Sequence, residues 1–377
     1  MILNSKRVEQ TVDRDERGRF IKELIVVRVP GPPRSLGSER PPRSSGSERP
    51  PREQVPLAMV RKRSATHDGT QAPVLLIHGY GQNRYAWHLP SRSFSNYLAR
   101  AGFDVFNLEL RGHGRSRYLG AKRPTHVTEF VREDVPAAIE EVQRLSGGRP
   151  VYLIGHSLGG LVSYAAASAL EGRVAGVVSL GSPYHFTRGS WALTAFGSAM
   201  LAFDRRVPLG HGAMPLKEFS EVVRFARRFI ESPIFPLPIR GFAPGSIEPV
   251  VLSQHMSLAM DQGSITVLRN LFLSAAESRR DGHRLGGLSG YAGAFEALDL
   301  PLLVIAGGRD DLAPPASVEP AFQRSTSHDK TYRVFPSGHI DLLVGRNAPQ
   351  TIWPLLEAWM TTRLRRSESA ASARLGA

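Results

Sequence analysis

The fold is decided by one stretch of the chain, Val151-Tyr152-Leu153-Ile154-Gly155-His156-Ser157-Leu158-Gly159-Gly160. Its first four residues are apolar, which is typical of a buried strand, and the residues after Ser157 predict the start of a helix. The stretch fits the G-x-S-x-G pattern, in which a serine stands on a sharp turn between a strand and a helix. We expect Gly155 and Gly159 to leave out side chains that would crowd the turn, and Gly160 to let the helix pack close to the strand. The stretch therefore predicts a nucleophile elbow with Ser157 at its tip.

A glycine-rich loop precedes this stretch in the chain. The apolar run Val74–Ile77 predicts a buried strand, and it ends in His78-Gly79-Tyr80-Gly81. A loop of this kind after an early central strand can present a backbone N–H to a developing oxyanion. His78, like His113 and His156, is more typical of a residue that shapes a loop than of a base.

Two further strand ends follow the elbow. The apolar run Leu302–Ile305 ends in Gly307-Gly308-Arg309-Asp310-Asp311, which places a carboxylate at the carboxyl end of a strand. The short strand Tyr332–Phe335 is followed by Ser337-Gly338-His339. The order along the chain is therefore Ser, Asp, His, which differs from the order in chymotrypsin-type and subtilisin-type enzymes.

With these four signals in order, residues 57–362 resemble the α/β-hydrolase superfamily. The segment Leu108–Ser116 also resembles the family's loop after its fourth strand, and Gly338–Gly345 is similar to the corresponding segment of lipase-type members and of polyhydroxyalkanoate synthases. Those synthases carry a cysteine at the elbow, and this chain has no cysteine. Haloalkane dehalogenases and epoxide hydrolases of this fold carry an aspartate there. The resemblance implies an α/β fold, with a mostly parallel central sheet flanked by helices, an inserted helical cap and a serine nucleophile.

The resemblance also implies roles for particular residues. Ser157 would attack a carbonyl carbon, His339 would accept its proton, and Asp310 would orient the imidazole. The backbone N–H groups of Tyr80 and Leu158 would form the oxyanion hole. Asp310 is favoured over the adjacent Asp311 because it stands three residues after Gly307, although Asp311 and Asp341 stay as alternatives. Ser157 as a small residue in a tight turn, and His339 as one ordinary loop histidine among 12, are the competing interpretations.

About 120 residues separate the predicted strand Val174–Leu180 from Leu302, more than a doubly wound sheet needs there. Leu193, Phe196, Met200 and Phe203 recur at helical spacing, and a second apolar face follows from Phe219 to Ile230. The surplus predicts a helical cap over the strand ends, where ligand sites of α/β proteins form. We expect Phe196 and Met200 to bind a hydrophobic acyl group. The alternative is that these faces pack only on the core.

Near the N-terminus, Pro32-Pro33-Arg34-Ser35-Leu36-Gly37-Ser38-Glu39-Arg40 is followed by a second, nearly identical copy over residues 41–49. This composition offers almost nothing to bury, so the repeat is expected to be disordered within a β-hairpin formed by Phe20–Val29 and Pro56–Ser64. A proline-rich ligand for another protein is the alternative. In chain order, the sequence predicts a flexible tail (1–19), a possible first strand with the repeat (20–56), the first part of the core (57–182), the cap (183–298), the second part of the core (299–362) and a flexible basic tail (363–377).

The net charge of +14 lies mainly at the two ends of the chain. Residues 1–63 contain 15 Lys and Arg against 8 Asp and Glu, and residues from 363 onward contain 4 against 1. No basic face with stacking aromatics is apparent, so we expect no nucleic-acid partner. Weak attraction to anionic membrane surfaces is the alternative to a solvated tail.

The composition also bears on cofactors and compartment. No paired-ligand spacing predicts a metal, and we expect no cofactor. The N-terminal residues lack a secretory apolar region, and no run is long enough to span a bilayer, so a cytoplasmic protein is expected.

The sequence as a whole predicts a serine hydrolase that cleaves a carboxylic ester of a hydrophobic acyl group through an acyl-enzyme, with the character of an esterase or lipase. An acyltransferase that uses the same three residues is one alternative. A catalytically idle binding protein of the same fold is another.

Overall fold

A nine-stranded sheet organises the part of the chain that the structure, a computed structural model, describes. The described residues are 7–15, 18–30, 54–66, 71–232, 237–284, 286–288 and 290–375. The strands, in chain order, are β1 (Arg7–Asp15), β2 (Gly18–Pro30), β3 (Gln54–Ser64), β4 (Pro73–Ile77), β5 (Asp104–Leu108), β6 (Val151–His156), β7 (Val174–Leu180), β8 (Ala213–Met214), β9 (Gly263–Ser264), β10 (Leu302–Gly307) and β11 (Lys330–Phe335).

The strand order in the large sheet is β1-β2-β3-β5-β4-β6-β7-β10-β11. The six strands from β5 to β11 pair in parallel, whereas β1, β2 and β3 pair antiparallel and join the sheet through β5. The two-residue strands β8 and β9 pair only with each other. The predicted α/β class and mostly parallel central sheet are confirmed.

The helices lie on both faces of the sheet and in the segment between β7 and β10. In chain order the α-helices are α1 (Phe94–Arg100), α2 (Gly114–Tyr118), α3 (Val135–Leu145), α4 (Leu158–Ala167), α5 (Trp191–Asp204), α6 (Leu216–Phe225), α7 (Arg227–Ile230), α8 (Pro249–Gln254), α9 (Ile265–Arg280), α10 (Ala292–Glu296), α11 (Pro315–Val318), α12 (Pro320–Arg324), α13 (Asp341–Val344) and α14 (Ala348–Leu375). A 3₁₀ turn (Arg84–Ala86) and two π-helical turns (Phe130–Asp134 and His255–Ala259) complete the described elements.

The central strands are buried on both faces, and this explains their continuous apolar runs. Successive side chains of a strand point to opposite faces. Leu75 and Leu153 accordingly belong to the core beneath α3 and α4, whereas Leu76 and Ile154 belong to the core beneath α1 and α14. Two apolar cores therefore hold the sheet between layers of helices.

The parallel pairing brings the carboxyl ends of β4, β6, β10 and β11 to one edge of the sheet. The four segments singled out in the sequence all follow these strands directly. Helices α5 to α10 occupy the long connection between β7 and β10, as the surplus of residues predicts. The boundaries proposed for the core and the cap stay predictions.

Close backbone packing holds the turn between β6 and α4. A Cβ atom on Gly155 would overlap the backbone of Gly159, and one on Gly159 would overlap the carbonyl oxygen of Ile77 in β4. A Cβ atom on Gly160 would overlap the side chain of Ser182, which follows β7. The steric roles predicted for these three glycines are confirmed.

The N-terminal prediction needs a correction. Residues 7–15, which were expected to belong to a flexible tail over 1–19, form β1 and pair with β2 from Arg7↔Ile25 to Asp15↔Gly18. The segment is mostly polar, so it lacks the apolar alternation that predicts a strand from sequence. Its pairing with β2 uses backbone N–H and C=O groups, which chains of any sequence carry.

The predicted hairpin is present, because β2 and β3 pair antiparallel from Phe20↔Ser64 to Pro30↔Gln54. The repeat itself, which was expected to be disordered, lies outside the described residues.

A second correction concerns the basic C-terminus. Residues 363–375, which were expected to be flexible, continue α14. The chain from Thr361 to Leu375 contains neither glycine nor proline and is rich in helix-forming Arg, Ala and Leu. Arg363 also forms an ion pair with Asp329 and lies 3.9 Å from the centre of the Trp359 ring. Local helix propensity therefore extends a helix whose earlier turns pack on the core.

The packing of the elbow can be tested with two glycines that both lie in helices. Gly159→Ala should lower the free energy of unfolding by about 1–3 kcal/mol, because the new methyl group must displace the end of β4. Gly293→Ala in α10 should be neutral or stabilising by up to about 1 kcal/mol, because nothing lies within 4 Å of its added Cβ. Urea denaturation of the two variants measures the difference. Equal stability of both variants would contradict the packing described here.

Candidate active site

Ser157 occupies a strained position at the start of α4. Its φ of 54° and ψ of −120° lie in a region that L-residues with side chains rarely adopt. The N–H of Ser157 donates a hydrogen bond to the carbonyl oxygen of Leu180 at 2.9 Å, which ties the turn to β7. Strain of this kind persists only where the surrounding structure enforces it, and it clusters at functional sites.

The Asp310 carboxylate is paired with the His339 imidazole. Oδ2 of Asp310 lies 2.7 Å from Nδ1 of His339, and both side chains are buried. Oδ1 of Asp310 accepts hydrogen bonds from the backbone N–H groups of Leu312 and Ala313 at 2.9 and 2.7 Å. The carboxylate is therefore held by its own loop, with one oxygen left for the histidine.

Asp311 has a different set of partners. Its carboxylate accepts hydrogen bonds from the backbone N–H groups of Arg240 and Gly241 at 2.6 and 2.9 Å. Asp341 likewise accepts from the backbone N–H of Ala243 and from the hydroxyl of Ser246. Both carboxylates hold residues 240–246 of the segment between β7 and β10, whereas Asp310 is the carboxylate hydrogen-bonded to His339.

The electrostatics at His339 favour its protonated form. Burial by itself disfavours the imidazolium, but the charge and hydrogen bond of Asp310, together with the nearby Asp311 and Asp341, outweigh burial and raise the pKa of His339 above its ordinary value. Such an imidazole readily holds a proton taken from a neighbouring hydroxyl.

Gly181 supports this pair, and the sequence reasoning missed it. It follows β7 with a φ of 57°, and an added Cβ would come within 3.2 Å of both Oδ2 of Asp310 and Nδ1 of His339. A side chain here would be strained and would crowd the ion pair. The signal in the sequence was a glycine directly after a buried strand.

The loop after β4 lies against the elbow. A Cβ on Gly79 would come within 3.2 Å of the Cβ of Ser157, so a glycine lets the loop approach the elbow closely without crowding it. Within the described ranges, no protein acceptor is paired with the backbone N–H of Tyr80 or with that of Leu158, the first residue of α4. Two backbone donors in these loops are thus available to an anionic oxygen.

Two buried histidines, His78 and His113, shape the surrounding loops. Nε2 of His78 accepts the backbone N–H of Leu110, so its Nδ1–H faces the carbonyl oxygen of Gly79. Burial, and then the neighbouring His113, lower the pKa of His78 to about 3. His113 packs edge-on against His78, with ring centres 5.1 Å apart. These residues are neutral near pH 7 and are consistent with the structural role that the sequence favours.

His156 lies beside the pair formed by Asp310 and His339. Its Nδ1 is 3.2 Å from Oε1 of Gln82, and its Nε2 is 3.2 Å from the carbonyl oxygen of His339. Burial, and then His339, lower the pKa of His156 well below its ordinary value. A neutral imidazole can donate to only one of these two oxygens at a time.

A cavity of about 290 Å³ opens beside Ser157 and His339, and its remaining wall is mostly apolar. The apolar side chains that the segment between β7 and β10 contributes to this wall are Pro183, Phe186, Leu193, Leu216, Phe219, Val223, Ile239, Met256, Met260, Leu268 and Leu271. A cavity of this size and character suits a small hydrophobic group.

The two cap residues predicted to bind substrate need a correction. The structure places neither Phe196 nor Met200 on the described wall of this cavity. Met200 is buried against Leu193, Leu268 and Phe272, whereas Phe196 is half exposed and packs edge-on against Phe272. Helical spacing identifies a common face, but only packing between α5 and α9 decides which end of that face reaches the cavity.

Across the described ranges, no group of three or more His, Cys, Asp or Glu side chains is arranged to hold a metal ion. In the same ranges, no helix is both long enough and apolar enough to cross a membrane.

Comparison with known proteins supports the fold. A family model described as alpha/beta hydrolase fold matches residues 72–205. Among solved structures, the chain is similar to a Paleococcus ferrophilus monoacylglycerol lipase, with a TM-score of 0.51 and 20% identity over 81% of this chain and 99% of that chain.

Two relatives are similar in sequence over most of the chain. The poly(3-hydroxyalkanoate) polymerase subunit PhaC of Haloferax mediterranei is 25% identical over 81% of this chain and 62% of its own length. This chain therefore spans less than two thirds of that relative. The (E)-2-((N-methylformamido)methylene)succinate hydrolase of Acinetobacter baylyi is 24% identical over 78% of this chain and 92% of its own length.

The strand order, the elbow and these similarities lead to one conclusion. The chain has the α/β-hydrolase fold, and residues 72–205 match the family model of that fold.

Proposed function

We propose that the protein is a serine hydrolase that cleaves a carboxylic ester of a hydrophobic acyl group through an acyl-enzyme. The observation that carries the proposal is the strained Ser157 on the wall of an apolar cavity that also exposes His339, which is hydrogen-bonded to Asp310 at 2.7 Å. The three residues have the chemical roles that nucleophilic acyl transfer needs.

In the proposed mechanism, Oγ of Ser157 attacks the ester carbonyl carbon while Nε2 of His339 accepts the hydroxyl proton. The Asp310 carboxylate keeps the proton of His339 on Nδ1 and stabilises the imidazolium that forms. The proton then passes to the leaving alcohol as the ester bond breaks. A water molecule, deprotonated by His339, hydrolyses the acyl-enzyme and restores Ser157.

The tetrahedral intermediate carries a negative charge on the former carbonyl oxygen. The backbone N–H groups of Tyr80 and Leu158 are proposed to donate to this oxygen. Leu158 is the first residue of the ten-residue helix α4, whose N-terminal dipole also favours an anion. Loss of a single donor of this kind costs about 10²–10³-fold in kcat in a protease.

The apolar wall supports a hydrophobic acyl group as the bound part of the substrate. Burial of apolar surface stabilises a bound group by roughly 25 cal/mol per Å², with no requirement for polar partners. The similarity to a protein described as a monoacylglycerol lipase agrees with an acyl ester of this kind.

Acyl transfer is the second candidate, and the similarity to a poly(3-hydroxyalkanoate) polymerase subunit favours it. An alcohol would then replace water in the attack on the acyl-enzyme. Product analysis by mass spectrometry, with an alcohol added to the reaction, separates the two. A transferase yields mainly the new ester at millimolar alcohol, whereas a hydrolase yields mainly the free acid.

The assignment of the three residues predicts a specific pattern of loss. Ser157→Ala should abolish covalent labelling by a fluorophosphonate and ester turnover, because the nucleophile is gone. Asp310→Asn should lower kcat/KM for p-nitrophenyl butyrate by about 10⁴-fold, because the imidazole loses its orienting carboxylate. Intact-mass analysis and steady-state kinetics measure the two effects.

Asp311→Asn is the matched control. It should keep near-normal kcat/KM, because Asp311 does not contact His339 by a hydrogen bond. It should lose about 1–2 kcal/mol of stability, because the amide can accept only one of the two backbone N–H groups of Arg240 and Gly241. An inactive Asp311 variant beside an active Asp310 variant would overturn the assignment. Absence of labelling in the wild-type protein would instead favour the idle binding protein.

The raised pKa of His339 predicts the pH dependence. The imidazole must be neutral to accept the serine proton, so kcat/KM should rise with pH through an inflection above about 6.5, the ordinary pKa of histidine. Asp310→Asn should move this inflection to lower pH, because the carboxylate that favours the imidazolium is removed. A stopped assay between pH 5 and 9 gives both curves. A wild-type rate that is constant down to pH 5 would contradict the prediction.

The cavity wall predicts which cap residue sets acyl-chain preference. Leu193→Ala enlarges the cavity and should shift the ratio of kcat/KM for octanoate over acetate esters by roughly 10-fold or more, since one methylene contact is worth about 1–3 kcal/mol. Phe196→Ala, on the same helix but off the wall, should leave the ratio unchanged. The ratio does not depend on the folded fraction of either variant. A change of this ratio in Phe196→Ala alone would instead support the acyl site predicted from the sequence, at Phe196 and Met200.

A further inference from the structure

We propose that Gln82 and His255 are positioning residues that hold the proposed oxyanion loop in place, so that the cap segment 255–261 takes part in forming the oxyanion hole. The inference rests on the proposed function. It concerns the loop that contains Gly79 and Tyr80, and it starts from the contacts of one buried amide.

The side chain of Gln82 joins the oxyanion loop to the base of the site. Gln82 is 4% exposed, and its Oε1 accepts the backbone N–H of Gly79 at 3.0 Å. The same Oε1 lies 3.2 Å from Nδ1 of His156, the residue before the nucleophile. An added Cβ on Gly79 would lie only 2.8 Å from this oxygen, so the loop is packed directly on the amide. The side chain of Gln82 thus fixes the Gly79 N–H, which lies in the peptide directly before the one that carries the Tyr80 N–H.

His255 reaches the other end of the same amide from the cap. Its Nε2 lies 3.5 Å from Nε2 of Gln82, at the long end of the hydrogen-bond range. The amide nitrogen is a donor, so Nε2 of His255 is the acceptor and its proton lies on Nδ1. Burial, and then His339, lower the pKa of His255 to about 4, so this imidazole is neutral near pH 7. Contacts of this type often shorten when substrate binds.

His255 has a buried polar nitrogen that destabilises the fold, which an apolar residue at this position would not do. It is fully buried, and among the described residues its Nδ1 has no hydrogen-bond partner. An unpaired buried donor destabilises a fold, whereas an apolar side chain of similar size would not. The residue also begins a π-helical turn, His255–Ala259, and such turns are frequent at functional sites.

The backbone of the cap segment reinforces the contact. The N–H of Asp261 donates to the carbonyl oxygen of Gly81 at 2.7 Å, and the N–H of Asn83 donates to the carbonyl oxygen of Ala259 at 2.9 Å. The Asp261 carboxylate accepts the backbone N–H of Gly114 at 2.6 Å and pairs with Arg117 at 2.9 Å. The segment is therefore fixed to α2, which follows β5, and in turn fixes the loop after β4.

The arrangement predicts a loss of rate rather than of substrate binding. A loop that is displaced by a fraction of an ångström should weaken the hydrogen bond to the oxyanion, which exists only in the transition state. Gln82→Met, which keeps the shape and removes the polar contacts of the amide with Gly79, His156 and His255, should lower kcat for p-nitrophenyl butyrate by about 10–100-fold. KM should stay within about twofold. His255→Leu should lower kcat by a smaller factor.

The decisive measurement is the double variant. If His255 acts through Gln82, Gln82→Met with His255→Leu should be no slower than Gln82→Met alone, because the second change removes a contact that is already lost. Gln254→Met, at the last residue of α8 directly before this segment but bonded to Ser91, is the matched control and should retain wild-type kcat. Melting temperatures are measured for every variant. Gln82→Asn, which keeps the amide but withdraws it by one methylene, replaces Gln82→Met if the latter does not fold.

Three outcomes would overturn the proposal. They are multiplicative losses in the double variant, a rise of KM with kcat unchanged, and wild-type kcat in both single variants. Each of these outcomes is measured on an active wild-type enzyme. Failure of the proposed function is different, because the wild-type protein would then neither hydrolyse esters nor react with a fluorophosphonate. That last result would overturn both.

Discussion

Backbone-to-backbone contact at the start of α4 is the constraint on which the rest of the site depends. The elbow fits only because Gly155, Gly159 and Gly160 bring β6, β4 and the end of β7 within van der Waals distance of the helix. This packing forces Ser157 to a positive φ and leaves the N–H of Leu158 without a protein acceptor in the described part of the chain. The hydroxyl on the cavity wall and the free backbone donor are therefore two consequences of one tight turn.

The Asp310–His339 pair depends on the same edge of the sheet. β10 and β11 are neighbours in the parallel sheet, so their carboxyl ends place the two loops side by side. Gly181, at the end of β7, leaves room for the buried ion pair between them and the elbow. The low dielectric of this position strengthens the attraction between carboxylate and imidazolium, which is why the pKa of His339 is raised despite burial.

The cap segment is bound to the core by polar contacts as well as by apolar packing. Asp311 and Asp341 accept backbone N–H groups from residues 240–243, and residues 255–261 hold the loop after β4. Helices α6 and α7 also leave Phe225 and Phe229 more than 70% exposed. The cap is thus integrated with the site and at the same time presents apolar side chains to solvent.

The sequence by itself determined the class of fold, the elbow and the order of Ser157, Asp310 and His339. These features are local, since each is a buried apolar run that ends in a characteristic loop, and the parallel sheet then brings the loops together. It favoured Asp310 over Asp311 from spacing alone, and only the structure shows that Asp311 faces backbone donors of the cap chain. Tertiary structure also decided that β1 forms, because backbone pairing leaves no mark on composition. It decided that Leu193 and Val223, rather than Phe196 and Met200, line the cavity, because the packing of the helices sets which side chains reach it. It also decided that Gln82 contacts His255, since these residues are 173 positions apart in the chain and only the fold brings them together.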